Sequence, residues 1–184
     1  MTKPSVEIWD AVPADVDACL ALPHESKTQR VWQAGVRQDG EAWNIQLRES
    51  DLSREMTLNY AKNPTRLQRA LGPEHCFLVA VEPDDETILG YLVMLTDPDQ
   101  PTATLQDLVV TTARRRQGIG LRLVSVARKW AKERDLKRVL AVAQTKNYPA
   151  IALYQKAGYS FCGYHEQYFE NRDIAVFFCQ MLRK

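Results

Sequence analysis

The chain is poor in the residues that most often announce a function. It has four cysteines in 184 residues. Cys19, Cys76, Cys162 and Cys179 stand far apart among apolar neighbours, with no CxxC pair. That spacing excludes a disulfide framework and a thiolate metal site, and it leads us to expect buried free thiols in a cytoplasmic protein. The three histidines, His24, His75 and His165, lack metal-ligand spacing, so no metal is expected. There is no N-terminal signal pattern and no apolar run long enough to cross a bilayer, which argues against a membrane partner. An excess of one charge is missing too. The formal net charge is +1, and Arg114-Arg115-Arg116 alone is too small a footprint for nucleic acid. Repeats, low-complexity tracts and linkers are absent, so one domain is expected across 1–184.

What is present has ordinary globular composition, 45% hydrophobic and 26% charged. Val6 to Trp9 reads as a short strand, and Pro13-Ala14-Asp15 leads into a helix through Leu22. Residues 23–70 are less regular. Arg30–Gln33 and Trp43–Leu47 flank Asp39-Gly40, a turn pair that predicts a hairpin, and the polar stretch Ser50–Ala70 is expected to be helical in part. Three strands follow at Cys76–Val81, Ile88–Thr96 and Ala103–Val110. After them come a helix over 118–134, a strand Arg138–Ala143, a short helix Pro149–Ala157, and strands over 158–165 and 173–182. Trp130, at helical spacing from Leu123 and Val126, is expected in the core. This order predicts an α/β (α+β) sandwich with one mixed sheet and helices on both faces. Strand 103–110, helix 118–134 and strand 138–143 should form a parallel crossover.

The most informative stretch is Arg115-Arg116-Gln117-Gly118-Ile119-Gly120, which links the apolar run Leu105–Val110 to a long helix. The first amides of a helix have no intrahelical acceptors, and the macrodipole adds positive potential there. Gly118 and Gly120 allow the backbone to approach an anion closely. A dinucleotide fingerprint fails because Leu123 stands at the third glycine position, and a P-loop fails because no Gly-Lys-Ser/Thr ending is present.

The pattern that remains, [QR]-x-x-G-x-[GA] after a strand with Leu108-Val109-Val110 at an L-x-V position, resembles the GCN5-related N-acetyltransferases. Downstream, Asn147-x-x-Ala150-x-x-Leu153-Tyr154-x-Lys156-x-Gly158-Tyr159 is similar to that family's second signature, and the resemblance covers residues 76–164. It implies the family's fold, with a mostly antiparallel sheet, and acetyl-CoA as cofactor. The pyrophosphate would lie on the amides of Arg115, Arg116, Gln117, Gly118, Ile119 and Gly120, with both arginines adding charge. The pantetheine would pair along Leu108, Val109 and Val110, in a splay away from strand 138–143. Asn147 would bond the pantetheine or cap the short helix, and Lys156 belongs to the same cofactor signature. Tyr154 falls where the family places a general acid for the leaving thiolate. A phenol of pKa about 10 can fill that role, and simple packing under the sheet is the other reading.

The base is less marked. No carboxylate lies in Val139–Ala143, and the nearest is Asp107, which could accept a proton through water or bind the substrate ammonium. Acceptor contacts are expected from region 23–70, through Trp32, Trp43 and Tyr60 with Glu41, Glu49 and Asp51. The same tryptophans could instead pack the hairpin onto the sheet. Tyr164–Asp173, with Glu166, Tyr168, Glu170 and Asn171, would form another wall or a dimer contact. Its ending resembles the streptothricin-acetyltransferase-like branch of the family. The expectation is direct acetyl transfer to a primary amine of a small molecule, peptide or protein, by a monomer or homodimer. A catalytically silent acyl-CoA sensor is the alternative.

Overall fold

A computed structural model describes residues 6–182. Its contacts divide the chain into two compact units. One comprises residues up to His24, Ala61–Ala141 and Cys179 onward, and the other comprises Glu25–Tyr60 and Val142–Phe178.

In the first unit, β1 (Glu7–Asp10) pairs antiparallel with β4 (Cys76–Val81). β4 pairs with β5 (Ile88–Thr96), and β5 with β6 (Thr102–Val110), both antiparallel. Every residue of β4 is buried, the pattern of a strand covered on both faces. On one face Phe77, Val79 and Val81 pack with Tyr91 and Val93 against Val16 and Cys19 of α1 (Val16–Ala21) and Leu67 and Ala70 of α2 (Pro64–Ala70). The alternate residues face α3 (Ile119–Glu133), which lies on β4, β5 and β6 and buries Ile119, Leu123, Val124, Ala127 and Ala131. Helices therefore cover both faces, as the order of elements predicts. β6 and β7 (Arg138–Gln144) are the parallel pair. Among the described residues the sheet has seven strands in the order β1-β4-β5-β6-β7-β9-β8, with β8 spanning Ser160–His165 and β9 Ala175–Met181.

The second unit contains a separate two-stranded ribbon, β2 (Glu25–Asp39) and β3 (Ala42–Asn59), together with α4 (Tyr148–Lys156). The hairpin is present but one residue out of place. Asp39 pairs with Ala42, so the loop is Gly40-Glu41, with Gly40 at φ 58° in the position where a two-residue II′ turn needs glycine. The helical expectation for Ser50–Ala70 holds only from Pro64, since β3 runs on to Asn59. Between Thr28 and Arg30 the register jumps, so Gln29 alone opposes Leu52–Glu55. The Thr28 hydroxyl donates to the Arg30 carbonyl at 2.6 Å and accepts from its amide at 3.0 Å, holding the irregularity in place.

Two further expectations are corrected. Trp130 is half-buried, with the Arg134 guanidinium 4.0 Å above its ring; its indole is capped by a cation instead of entering the core. Cys19 and Cys76 are buried as expected, but Cys162 is exposed and Cys179 half-buried. Burial pushes the Cys19 and Cys76 thiols up to about 12. Iodoacetamide at mildly alkaline pH should thus modify Cys162 first and leave Cys19 and Cys76 protected until the chain is denatured. Mass spectrometry of the digested protein reads the order, and early labelling of Cys19 would contradict the packing of α1.

Candidate active site

β6 runs alongside β7 over four described pairs, Thr102 with Arg138 through Leu105 with Ala141, and then continues to Val110 against β5. A bulge marks the parting. Leu105 faces Met94 of β5 and Asp107 faces Val93, leaving Gln106 as the extra residue. Met94 and Val93 point to opposite faces, so the bulge turns Asp107 to the α1/α2 face, where regular alternation would have put it with Leu105 on the α3 face. Further along, the Thr111 amide donates to the Leu89 carbonyl on β5. By alternation the backbone groups of Leu108 and Val110 face the opposite edge, away from β5. Of the three residues expected along such an edge, Leu108 and Val110 turn their backbone groups away from β5, whereas Val109, opposite Tyr91, turns its own toward β5.

The strand ends in a tight turn. Thr112–Arg114 forms one 3-10 turn, Arg116 and Gly118 take φ of 65° and 92°, and α3 then starts at Ile119. No side chain caps α3, so its first amides are left for solvent or a ligand. A cleft of about 220 Å³ opens beside them, lined by Val6, Gln117, Gly118, Leu121, Arg122 and Ser125 among others. The three arginines have separate duties. Arg114 is ion-paired with Glu82. Arg115 donates from Nε to the Val110 carbonyl at 2.9 Å and from Nη2 to the Pro23 carbonyl at 3.3 Å. Arg116 is exposed. Arg115 therefore ties the turn to the end of β6, in addition to any charge it lends.

The second signature, in the other unit, is a helix secured at both ends. Asn147 caps α4 by accepting from the Ala150 amide at 3.2 Å, with Pro149 in the first turn, where a missing N–H costs nothing. At the far end Gly158 has φ 87°, its amide donates to the Gln155 carbonyl, and the Tyr159 amide donates to the Tyr154 carbonyl. That is a Schellman motif, and the contact that accompanies it is Tyr159 against Tyr154, ring centroids 5.8 Å apart. Tyr154 is buried, packing also on Phe178 at 5.9 Å. Of the two roles expected for Asn147, capping is thus present; Ser26 Oγ also reaches its Oδ1 at 3.5 Å. The Tyr60 hydroxyl is buried next to Asn147, without the geometry of a hydrogen bond, and burial raises its pKa. Lys156 is exposed in the last turn.

The acceptor candidates are scattered along the ribbon. Trp32 and Trp43 share one face, but six residues of ribbon, about 20 Å, separate them. The indole N–H of Trp32 is buried without a partner, whereas Trp43 is 65% exposed near the tip with Glu41. Glu49 and Asp51 are both engaged by Arg30, at 3.7 and 2.8 Å. Tyr168 is exposed and stacks edge-on with His165, Phe169 and Phe177. Asn171 bonds Asp173, which Lys146 also pairs with. Sequence reasoning missed Arg66, whose guanidinium grips Asp107, and the pairing of the Tyr91 hydroxyl with His24 Nε2 at 2.7 Å. Neither pair lies within a motif, and their partners are 41 and 67 residues apart in the chain.

Residues 41–159 match the acetyltransferase (GNAT) family, and the chain belongs to it. Among curated relatives, a streptothricin acetyltransferase of Escherichia coli is 36% identical over 79 residues, which is 43% of this chain and 45% of that protein. The streptothricin acetyltransferase of Streptomyces lavendulae is 25% identical over 85% of this chain and 82% of its own. The fold matches a nourseothricin acetyltransferase at TM-score 0.80 and 23% identity, covering 96% of this chain and 98% of that one. It also matches, at TM-score 0.80 and 18% identity, a provisionally named streptothricin acetyltransferase of Bacillus anthracis str. Ames solved with acetyl coenzyme A, covering 97% and 99%.

Gly118 offers a direct test of the turn. A Cβ there would meet nothing within 4 Å, so Gly118→Ala carries only the conformational cost of its positive φ, about 1–3 kcal/mol. The melting temperature should fall, and calorimetry should show weaker coenzyme A binding. Normal stability and affinity would mean that the turn relaxes freely and does not need this backbone.

Proposed function

We propose that the protein is an N-acetyltransferase that moves the acetyl group of acetyl-CoA to a primary amine of a cationic small molecule of the streptothricin kind. The reaction would be direct attack within a ternary complex. The observation that carries this reading is the parting of β6 from β7 at a bulge, followed at once by a glycine turn with uncapped amides. The two features answer two parts of one cosubstrate. An open strand edge suits an extended amide-bearing arm, which can pair with it like an added strand. A helix start with exposed amides and a nearby arginine suits a pyrophosphate. The relatives are named as acetyltransferases of streptothricin and nourseothricin, and their likeness to this chain supports the acceptor class.

In this reading the backbone groups of Leu108 and the amide of Val110, whose carbonyl Arg115 already holds, align the arm, and the amides of the turn with Arg116 hold the pyrophosphate. The acceptor nitrogen attacks the thioester carbon, the C–N bond forms, and the C–S bond breaks. Tyr154 gives its phenolic proton to the departing sulfur and regains one from solvent. Before attack the acceptor ammonium, seated at Asp107, sheds one proton to water so that its nitrogen has a free pair, and that nitrogen gives up a second proton to solvent as the amide forms. Trp32, with its unpartnered buried N–H, and Tyr168 are further acceptor contacts under this proposal. Lys156, exposed in the last turn of α4, is a further donor contact under this proposal.

The test is thiol release from acetyl-CoA across a streptothricin, an aminoglycoside, spermidine and a peptide amine. Streptothricin-dependent release is expected. Tight acetyl-CoA binding with no release for any amine would identify an acyl-CoA sensor instead. Tyr154→Phe should lower kcat by about a hundredfold or more while leaving the acetyl-CoA KM within about twofold. Unchanged turnover in a regime limited by chemistry would remove the acid role.

A further inference from the structure

Asp107 stands one residue past the bulge, where β6 becomes open. Its carboxylate side chain is only 13% exposed, and a single guanidinium takes both of its oxygens. Arg66 donates to it from Nε at 2.5 Å and from Nη2 at 2.6 Å. The position of Arg66 is a poor one for its own helix. Asn63 caps α2 by accepting from the Arg66 amide at 2.8 Å, so Arg66 is the third residue of the first turn. That is the positive end of the dipole, where a carboxylate is favoured and a cation is not. The helix gains nothing from this residue; the carboxylate on β6 does. α2 has only seven residues, too few to be stable alone, and the Arg66 side chain keeps 27% of its surface exposed. The guanidinium is therefore the movable half of the pair and Asp107 the fixed half.

The other polar pair on this face does not compete for the carboxylate. His24 Nδ1 lies 2.7 Å from the Leu22 carbonyl, which can only accept, so Nδ1 carries the proton. Nε2 is then free to accept from the buried Tyr91 hydroxyl. Burial and then the charge of Asp107 raise the Tyr91 pKa, so the phenol stays protonated. Cys19, the remaining titratable group near Tyr91, is likewise held neutral by burial.

We infer that Arg66 is a built-in occupant of the acceptor's cation seat. In the acceptor-free protein its guanidinium fills Asp107, and a cationic amine must displace it to reach the open edge of β6. This inference rests on the acetyl-transfer reading above. It makes Arg66 a specificity-determining residue. A simple monoamine offers one ammonium against a two-point contact and displaces it poorly. A polyamine carries several charges and can compensate the carboxylate more fully. The apparent affinity for any acceptor is reduced by the fraction of time the pair is open.

The experiment compares wild type, Arg66→Gln, Arg66→Lys, Asp107→Asn and the double variant. It measures spermidine binding by calorimetry with coenzyme A present, and acceptor KM with the amine turned over best. Arg66→Gln is expected to tighten spermidine binding about tenfold, as for a seat closed nine-tenths of the time, with the kinetic gain falling on KM instead of kcat. Arg66→Lys, with a point charge in place of the fork, should fall between. Asp107→Asn should weaken binding, and the Arg66→Gln gain should vanish once Asp107 is Asn. Melting temperature and coenzyme A affinity identify any variant that is merely misfolded, in which case Arg66→Lys supplies the comparison. Weaker spermidine binding in Arg66→Gln would overturn the proposal and make the pair a single positioning unit. Equal affinity in all five proteins would place the cation elsewhere and also overturn it. Failure of the underlying reading looks different: wild type would then release no thiol with any amine.

Discussion

The short partnership of β6 and β7 governs the chemistry of this chain. Parallel pairing that continued to Val110 would have satisfied every edge group, leaving no place for an extended ligand. The extra residue at Gln106 does two things at once. It ends the ladder by bending the strand, and it reverses which face each later side chain meets. Had the strand alternated regularly through Gln106, Asp107 would lie with Leu105 on the α3 face. With it the carboxylate emerges on the α1/α2 face, in reach of Arg66. One inserted residue therefore creates the open edge and supplies the charge that stands beside it.

The turn after β6 is fixed by hydrogen bonds that a motif does not display. Arg115 binds the Val110 carbonyl, so the last residue of the strand and the first residue of the motif hold one another. Its second bond, to Pro23, fastens the segment that leads to His24. The arginine in the [QR]-x-x-G-x-[GA] pattern is thereby a structural fastener, and the choice of Gln or Arg at that place makes sense as a requirement for a long side-chain donor. Gly118 completes the turn by adopting a backbone angle that would strain other residues.

Elements whose burial is regular were legible from the sequence, and elements whose burial is not were misread. Cys76–Val81 and Ile88–Thr96 are continuous apolar runs because both faces of the sheet are covered, and their limits match the strands residue for residue. The polar stretch Ser50–Ala70 reads as partly helical, yet it is helix only from Pro64, because the largely exposed β3 lacks the alternation that marks a half-buried strand. Its pairing is further broken by the register jump opposite Gln29, a tertiary irregularity that no local pattern encodes. Trp130 shows the same limit: helical spacing gave its face but not the Arg134 that covers it. Within the candidate site, the motifs gave the backbone parts, namely the open strand, the turn and the doubly capped α4. The ion pair of Asp107 was invisible, since Arg66 carries no signal beyond its misfit in the first turn of α2.

Under the proposed function, that misfit reflects how a nearly neutral chain can serve an anionic donor and a cationic acceptor together. With a formal net charge of +1, no bulk field attracts either ligand, so each local charge has to be kept from reaching the wrong one. Arg114 is spent on Glu82 and Arg115 on two carbonyls, leaving Arg116 and the helix amides facing outward at the turn. On the α1/α2 face Arg66 covers Asp107, so the carboxylate does not oppose an arriving polyphosphate. Under the proposal the anion meets a turn whose negative neighbours are already neutralised, and the cation seat stays covered by Arg66 most of the time until a cationic acceptor takes it.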